Sequence, residues 1–441
     1  MTLTPLKYFE SLYPENSREK EIHQYLTFLK KGLSAQIIGL PGTGKNNLLR
    51  LLAYNTDARK YHLKTYEKLM HFVYIDSAEA KGRDHIDIIK LIFSSIAFSL
   101  SERQLLEEST KVRSLLQEAI SMNDEFLMMQ FLKKAIEFLT IEKKLSLILL
   151  FDRFDTIAPN LTEDFFANLK TFRNLAKYRF GAIFSLKRPL DETVDINILT
   201  DFSDIVTGNE IYIAIYDPIA ISFRTKYIEK MSRKSLGKDT AEKILDLTGG
   251  HSKLTKLAYE KFVTEDEKIT DIKKYLLDKP TIISALGEVW QSLLPSEKLA
   301  LKNKDFENLS EKYLTKTGLV VGKKLSIPLL VDFIESKKID VDESIKYDAQ
   351  RNEILKANNP ITQLLSSSEF KLLKFMLENK DKVLSKNELI NAVWTDQKTQ
   401  EGVSDQAFDQ IMHRLRKKIE TDPANPTFIK TIKGTGYKLS S

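Results

Sequence analysis

The residues best able to do chemistry stand in three short strings. In GLPGTGKN, Gly39, Gly44 and Lys45 keep the spacing of a phosphate-binding loop, with Pro41, Gly42 and Thr43 inside it. Glycines at this spacing let successive backbone N–H groups converge on a phosphate, and the lysine adds a point charge for the terminal phosphates of ATP or ADP. Asn46 follows the lysine, where a hydroxyl that ligates Mg2+ ordinarily stands, and Asn47 follows Asn46. An amide oxygen can still reach a hard cation, on a longer arm. In LSLILLFDRFD an apolar run ends at Asp152, the place for a second Mg2+ ligand. Arg153 then occupies the position at which a glutamate would polarise water, and Asp155 is the candidate to replace that acid. Asn46 and Asp152 are thus the expected metal pair, and weak ATPase activity is the most these residues support.

A third string, VSDQAFDQIMHRLRKKIE, lies near the C-terminal end. Val403, Ala407, Phe408, Ile411, Met412, Leu415 and Ile419 recur at helical spacing and predict a buried face. Gln406, Asp409, Gln410, His413, Arg414 and Lys417 fall on the opposite side, where amides and cations suit base edges and phosphates of double-stranded DNA. FIKTIKGTGYKL adds two strands joined through Gly434 and Gly436, and Lys430, Lys433, Thr435 and Tyr437 complete the expected DNA contacts. From Gln410 to Ser441 there are seven Lys or Arg against two acids, a local excess that fits a polyanionic partner.

These strings need elements to hold them. The apolar runs AQIIG, His71 to Asp76, Leu145 to Asp152, Phe180 to Ser185 and Glu210 to Ile215 predict strands. The stretches between them, including Glu19 to Lys31 and Asn47 to Tyr54, have helical period. Near-continuous apolar strands separated by helices predict a parallel sheet covered on both faces. The expected organisation is an α/β nucleotide-binding core over 14–216 and a helical lid over 217–265. A middle winged helix over 275–338, a charged linker at 335–344 and a winged helix over 343–441 follow. Within the last, strands pair around Asn358–Asn359–Pro360, a helix follows a serine cap with Glu369 close behind and Phe370, Leu373, Phe375 and Leu377 as its stripe, and a second begins after Ser385. The middle winged helix lacks a comparable polar helix, so a packing and relay role is expected of it.

The bulk numbers set bounds. A chain of 441 residues with 42% hydrophobic and 29% charged residues has room for three cores. No cysteine is present, which excludes disulfides, thiolate metal sites and thiol nucleophiles. The six histidines are scattered, which speaks against a His-rich metal site. The opening MTLTPLKYFESLYPEN has no signal-peptide core, and no apolar stretch approaches the ~20 residues of a membrane helix. A cytoplasmic, bacterial-type protein, on the nucleoid when bound, is expected.

REKEI, GLPGTGKNNLL, LLFDRFD, FSLKRP and TGGHSKL together resemble the STAND branch of the AAA+ P-loop ATPases, over roughly residues 14–340. The resemblance implies that Arg188 is a sensor at the end of the fourth strand and that Gly250 and His251 touch nucleotide from the lid. Ser252 stands where the family usually has proline. RLRKKIE and FIKTIKGTGYKL resemble the OmpR/PhoB-type winged helix, which implies duplex recognition by dimers on tandem sites. The joint expectation is an ATP-binding, sequence-specific transcriptional regulator in which nucleotide state, biased by an unidentified signal, gates DNA binding. Two alternatives stay open: a replication-initiator-like or DNA-remodelling ATPase, and a defence-type oligomerising sensor.

Overall fold

The computed structural model describes residues 8–199, 202–265, 269–304, 306, 312–336, 344–356, 359–394 and 405–440. Val403, Asn358 and most of the expected linker lie outside them. Contacts gather the chain into two units. The first comprises Met1–Leu190, Ile198–Leu245 and Gly250–Glu267. The second comprises Asp191–Asn197, Asp246–Gly249 and Lys268–Ser441.

The first unit is built on a five-stranded parallel sheet. Along the chain run α1 (Glu19–Leu29), β1 (Ala35–Ile38), α2 (Lys45–Tyr54), β2 (Met70–Asp76), α3 (His85–Glu102), β3 (Ser146–Asp152), α4 (Glu163–Leu175), β4 (Phe180–Leu186) and β5 (Glu210–Tyr212). The strand order is β2-β3-β4-β1-β5. β1 and β4 are buried along their whole length, which is why their sequences are mostly apolar instead of alternating, and the buried Gln36 amide accepts from the Leu190 N–H at 2.7 Å. Behind the end of β3, Phe151, Phe154, Phe165, Phe166, Phe184 and Phe202 form one aromatic cluster, with Phe151 and Phe184 stacked at 5.5 Å. Phe151 and Phe154 alternate with Asp152 and Asp155, so the cluster fixes the turn that carries both acids.

The segment expected to form a lid begins with α5 (Pro218–Ser232) and ends with α6 (Ser252–Thr264), which pack on each other. His251 is the N-cap of α6: its Nδ1 accepts from the Leu254 N–H at 3.3 Å, and its Nε2–H therefore donates to the Pro41 carbonyl at 2.9 Å. The Lys253 N–H reaches the Gly42 carbonyl at 3.0 Å and Ser252 Oγ reaches Thr43 O at 3.2 Å. Gly42 has φ of 79°, and a Cβ there would come within 2.7 Å of the His251 ring. Only glycine permits both that backbone and that approach. Burial beside Lys45 and Lys253 pushes the His251 imidazole down to about 4.

In the second unit, α7 (Pro280–Gln291) and α8 (Pro295–Asn303) precede a short hairpin of β6 (Val320–Val321) and β7 (Lys324–Leu325), then α9 (Pro328–Ser336). A three-stranded sheet follows, of β8 (Ile345–Asp348), β9 (Glu353–Lys356) and β10 (Asn359–Pro360). Next come α10 (Ser367–Glu378), β11 (Val383–Leu384), α11 (Lys386–Val393), α12 (Asp405–Ile419), β12 (Ile429–Ile432) and β13 (Gly436–Leu439), with sheet order β11-β13-β12. Ser366 and Ser385 each cap a helix in a reciprocal box with Glu369 and Glu388. The β8–β9 hairpin turns at residues 349–352, ahead of the turn expected around Asn358–Pro360. Asp348 accepts from the Gln350 and Arg351 N–H groups, Asn352 adopts a left-handed backbone, and Asn359–Pro360 pairs with β9. On α10 the buried stripe is Leu372, Leu373 and Met376, with Phe370, Phe375 and Leu377 at its margin. It is rotated from the expected stripe because Glu369 itself turns inward. From α12, Phe408, Ile411, Met412, Leu415 and Ile419 enter the same core.

Glu420, fully buried just past α12, accepts from the N–H groups of Thr427, Phe428 and Ile429 at 2.8–3.0 Å, and from the Thr427 hydroxyl. It fixes where β12 begins.

Two outcomes follow for stability. Glu420→Ala leaves three backbone donors without their acceptor and should destabilise the second unit by about 3 kcal/mol or more. Glu420→Gln, which keeps one oxygen, should cost about half that. Both tryptophans, Trp290 and Trp394, lie in this unit, so fluorescence-detected urea unfolding reads it; unchanged midpoints would refute the assignment. His251 is neutral when buried and takes a proton on unfolding below its ordinary 6.5. Its share of stability is therefore complete above that pH and declines as pH falls towards about 4. His251→Asn keeps a capping side chain and should shrink the loss of stability between pH 7 and pH 5 by about 2 kcal/mol. Circular-dichroism unfolding curves of both proteins at the two pH values measure it, and equal losses would contradict it.

Candidate functional site

A cleft of about 400 Å³ opens at the C-terminal ends of the strands in the first unit, the side on which parallel α/β sheets bind ligands. Pro41, Gly42, Gly44, Lys45, Asn46 and Asn47 line one wall, and Asp152, Arg153, Asp155 and Lys187 another. Arg224 comes from α5, and Ser252, Lys253 and Lys256 come from the start of α6. Lys45 Nζ donates to the Gly39 and Leu40 carbonyls at 2.5 and 3.0 Å. Burial, helped by Lys187 and opposed by Asp155 and Asp152, pushes its ammonium down to about 8. Thr43 is buried and bonds the Leu40 carbonyl, so it shapes the loop from within. Asn47 donates to the Tyr13 hydroxyl at 3.4 Å.

Asp152 is buried, and its Oδ2 accepts from both Asn46 Nδ2 and the Tyr74 hydroxyl, the latter at 2.8 Å. Tyr74 is one of three tyrosines, with Tyr8 and Tyr54, whose rings surround the Arg50 guanidinium at 5.3–5.6 Å. Arg50 also pairs with Glu10 at 3.0 Å. Arg153 sits in a left-handed turn and makes a two-point ion pair with Asp76, which is aligned with Asp152 across β2 and β3. Asp155 accepts from the Lys187 N–H at 2.8 Å, and burial raises its carboxyl against the pull of Lys187 and Lys45.

Several sequence-selected residues hold the cleft without lining it. His251 grips the loop through Pro41 O, and Gly250 packs against Tyr216, which a Cβ would strike at 2.2 Å. Arg188 is buried, and Lys187 is the side chain of that strand end that lines the cleft. Arg18 carries a larger part than its place in REKEI suggested. Its guanidinium donates to Thr43 O at 2.7 Å, Ala214 O at 2.9 Å and Glu21 at 3.0 Å, and it pairs with Asp217 at the lid entrance. Lys253 and Lys256, three apart on α6, were legible only as one face of a lid helix.

In the second unit, Gln406, Asp409, Gln410 and His413 are exposed along one stripe of α12, and Lys430, Lys433 and Thr435 are exposed on the β12–β13 hairpin. Asp409 pairs with Lys386 at 3.1 Å. Tyr437 leans on Phe408, with the Arg416 guanidinium 5.8 Å from its ring. Gly436 has φ of 152°, and a Cβ would meet the Leu384 carbonyl at 2.0 Å. Arg414, expected on the open face, is drawn inward. It donates to Asp195 at 2.9 Å and to the carbonyls of Asp191 and Val194 at 3.0 Å, and its Nε lies 3.4 Å from Glu369. Asp195 also accepts from the Ser366 hydroxyl at 2.7 Å. Lys418 bonds Glu369 at 2.6 Å and the Glu192 carbonyl at 2.7 Å, and Lys417 lies 4.0 Å from the Glu192 carboxylate. Segment Asp191–Asp195 is thus a built part of this unit. No helix among the described residues is long and apolar enough to cross a membrane.

Residues 362–439 match the family model described as "Transcriptional regulatory protein, C terminal". The sensory transduction protein RegX3 of Mycolicibacterium smegmatis is 38% identical over 100 residues, which cover 22% of this chain and 40% of that protein. An uncharacterized transcriptional regulatory protein of Bacillus subtilis, YcbL, is 39% identical over 93 residues, 21% of this chain and 38% of its own length. The chain therefore spans about two-fifths of the length of these curated relatives. Among solved structures, the Walker-type ATPase PABY2304 of Pyrococcus abyssi is 16% identical with a TM-score of 0.45, over 76% of this chain and 99% of that one. Residues 362–439 are a DNA-binding domain of the OmpR/PhoB transcriptional-regulator type, carried on a chain whose first unit is a five-stranded parallel α/β sheet.

Proposed function

We propose that this chain is a nucleotide-switched, sequence-specific transcriptional regulator. ATP or ADP occupies the cleft of the first unit, and the second unit reads duplex DNA as a dimer on tandem sites. The exposed amides of Gln406 and Gln410 suit adenine edges in the major groove, and Lys430 and Lys433 suit the phosphate backbone. The observation that carries the switch is the segment Asp191–Asp195. It begins four residues after Lys187, a cleft residue, and its Asp195 and its carbonyls hold Arg414 and Lys418 of the DNA-reading helix. A nucleotide that displaces Lys187 pulls on α12 through eight consecutive peptide bonds or fewer. The substitutions that weaken hydrolysis favour a switch over a motor: Arg153 pairs with Asp76 at the position where a motor carries its water-polarising acid.

Removing the loop lysine tests the cleft. Lys45→Ala deletes the mobile charge of the loop and should weaken ATP or ADP binding by at least ~10-fold in calorimetry. Equal affinity would remove the cleft as a phosphate site. The switch is tested by titrating duplex DNA selected from random sequence against ATP-bound, ADP-bound and Lys45→Ala proteins, at concentrations that permit dimerisation. Coupling energies of this kind are about 1–3 kcal/mol, so the two nucleotide forms should differ by about 5- to 150-fold in DNA affinity, and Asp195→Ala should abolish most of that difference. Lys430→Ala should lower the salt slope by about one in every form. Three superimposable curves would mean that nucleotide does not gate the reader.

A further inference from the structure

A cleft of this topology ordinarily shares the neutralisation of its nucleotide with Mg2+, which requires a near-octahedral set of oxygen ligands. The oxygens here are otherwise engaged. The amide nitrogen of Asn46, not its oxygen, faces Asp152, and it also donates to the Tyr74 hydroxyl at 2.8 Å. Tyr74 donates in turn to the same Asp152 oxygen. Turning the amide over would set its oxygen against the carboxylate, lone pair against lone pair, so the neighbours fix its orientation. Tyr74 cannot yield easily, because its ring is one wall of the Arg50 cage. The neighbouring acid, Asp76, is closed by the two-point pair with Arg153, which brings a guanidinium to the strand ends where a metal would sit. Among the described residues no group of three His, Asp or Glu side chains is disposed to hold a metal ion. The residues present do not fit Mg2+.

The cleft as a whole is strongly cationic. Arg18, Lys45, Lys187, Arg224, Lys253 and Lys256 line it, against Asp152 and Asp155. Four of these cations come from outside the phosphate loop and the end of β4: Arg18 from the segment before α1, Arg224 from α5, and Lys253 and Lys256 from α6. Charges at several points around a partly closed cleft attract a polyphosphate more strongly than the same charges on an open surface.

We infer that this cleft takes its nucleotide as the metal-free di- or triphosphate anion, with its own lysines and arginines supplying the neutralisation that a divalent cation supplies elsewhere. The inference rests on the nucleotide-binding reading above and goes beyond it in stating the chemical form bound. Asn46, by bonding Asp152 directly, is the residue that closes the metal position.

The test is calorimetric titration of the full chain with ADP, and with a non-hydrolysable ATP analogue, in excess EDTA and again in excess Mg2+. The expected Kd values in the two media agree within about 3-fold, and binding weakens steeply with salt because side chains carry the neutralisation. A loss of about 10-fold or more in EDTA overturns the inference while leaving the cleft a nucleotide site. No binding in either medium overturns the nucleotide reading itself, and the inference with it. Asn46→Thr restores a short hydroxyl and frees Asp152, and Mg2+ should then tighten binding by about 5-fold or more. A folded Asn46→Thr protein as indifferent to Mg2+ as the wild type would overturn the role given to Asn46.

Discussion

The backbone carbonyls of the loop from Gly39 to Thr43 are buried by the segments packed over them, so each must find a donor in the fold. In this chain those donors are distributed over three distant segments. Lys45 takes Gly39 and Leu40, His251 takes Pro41, Lys253 takes Gly42, and Arg18 and Ser252 share Thr43. The start of α1, the phosphate loop and the start of α6 are therefore one hydrogen-bonded object. The neutrality of His251, the glycine at position 42 and the left-handed backbone of Arg18 are conditions for it. A lid held through backbone carbonyls senses the shape of the loop, whereas one held through side chains would sense their identity.

The second unit solves a different problem with buried charge. Glu369 has no exposure, yet it carries Lys418 and lies beside Arg414, and Glu420 is closed by backbone amides. Isolated charges at these depths would be costly, and each is met by a partner or a nest of donors. Such sets stabilise little beyond an apolar replacement, but they tolerate only one register. They hold α10, α12 and the β12 entry in a fixed relation, on which the spacing of Gln410 from Lys430 depends.

Much of this was legible in the residues. The strands of the first unit fall within a residue or so of the apolar runs, because a strand buried on both faces is mostly apolar and admits a polar side chain such as Gln36 or His71 only with a partner. β5 is the exception. The apolar run continues to Ile215, but regular pairing with β1 ends at Tyr212, where β1 itself runs out into the phosphate loop. The cores around α10 and α12 follow helical period, although the α10 stripe is rotated by its inward glutamate. Period alone finds a face and not its partner. Arg414 reads as outward on a helical wheel, and only the fold brings Asp195, more than two hundred residues earlier, to meet it. Lys187 was hidden in the same way beside Arg188: adjacent residues at a strand end point to opposite sides, and the sequence does not say which side holds the cleft.

The six phenylalanines behind Asp152 and Asp155 make the two sides of the cleft unequal. Rearranging that wall would mean repacking interlocked rings in a close-packed core. The opposite wall is held to the loop by a short series of hydrogen bonds, from the Lys253 N–H, the Ser252 hydroxyl and the His251 imidazole. Breaking a few hydrogen bonds costs less than repacking interlocked rings, so a change in the width of the cleft falls on the side of α6 and not on the aromatic side.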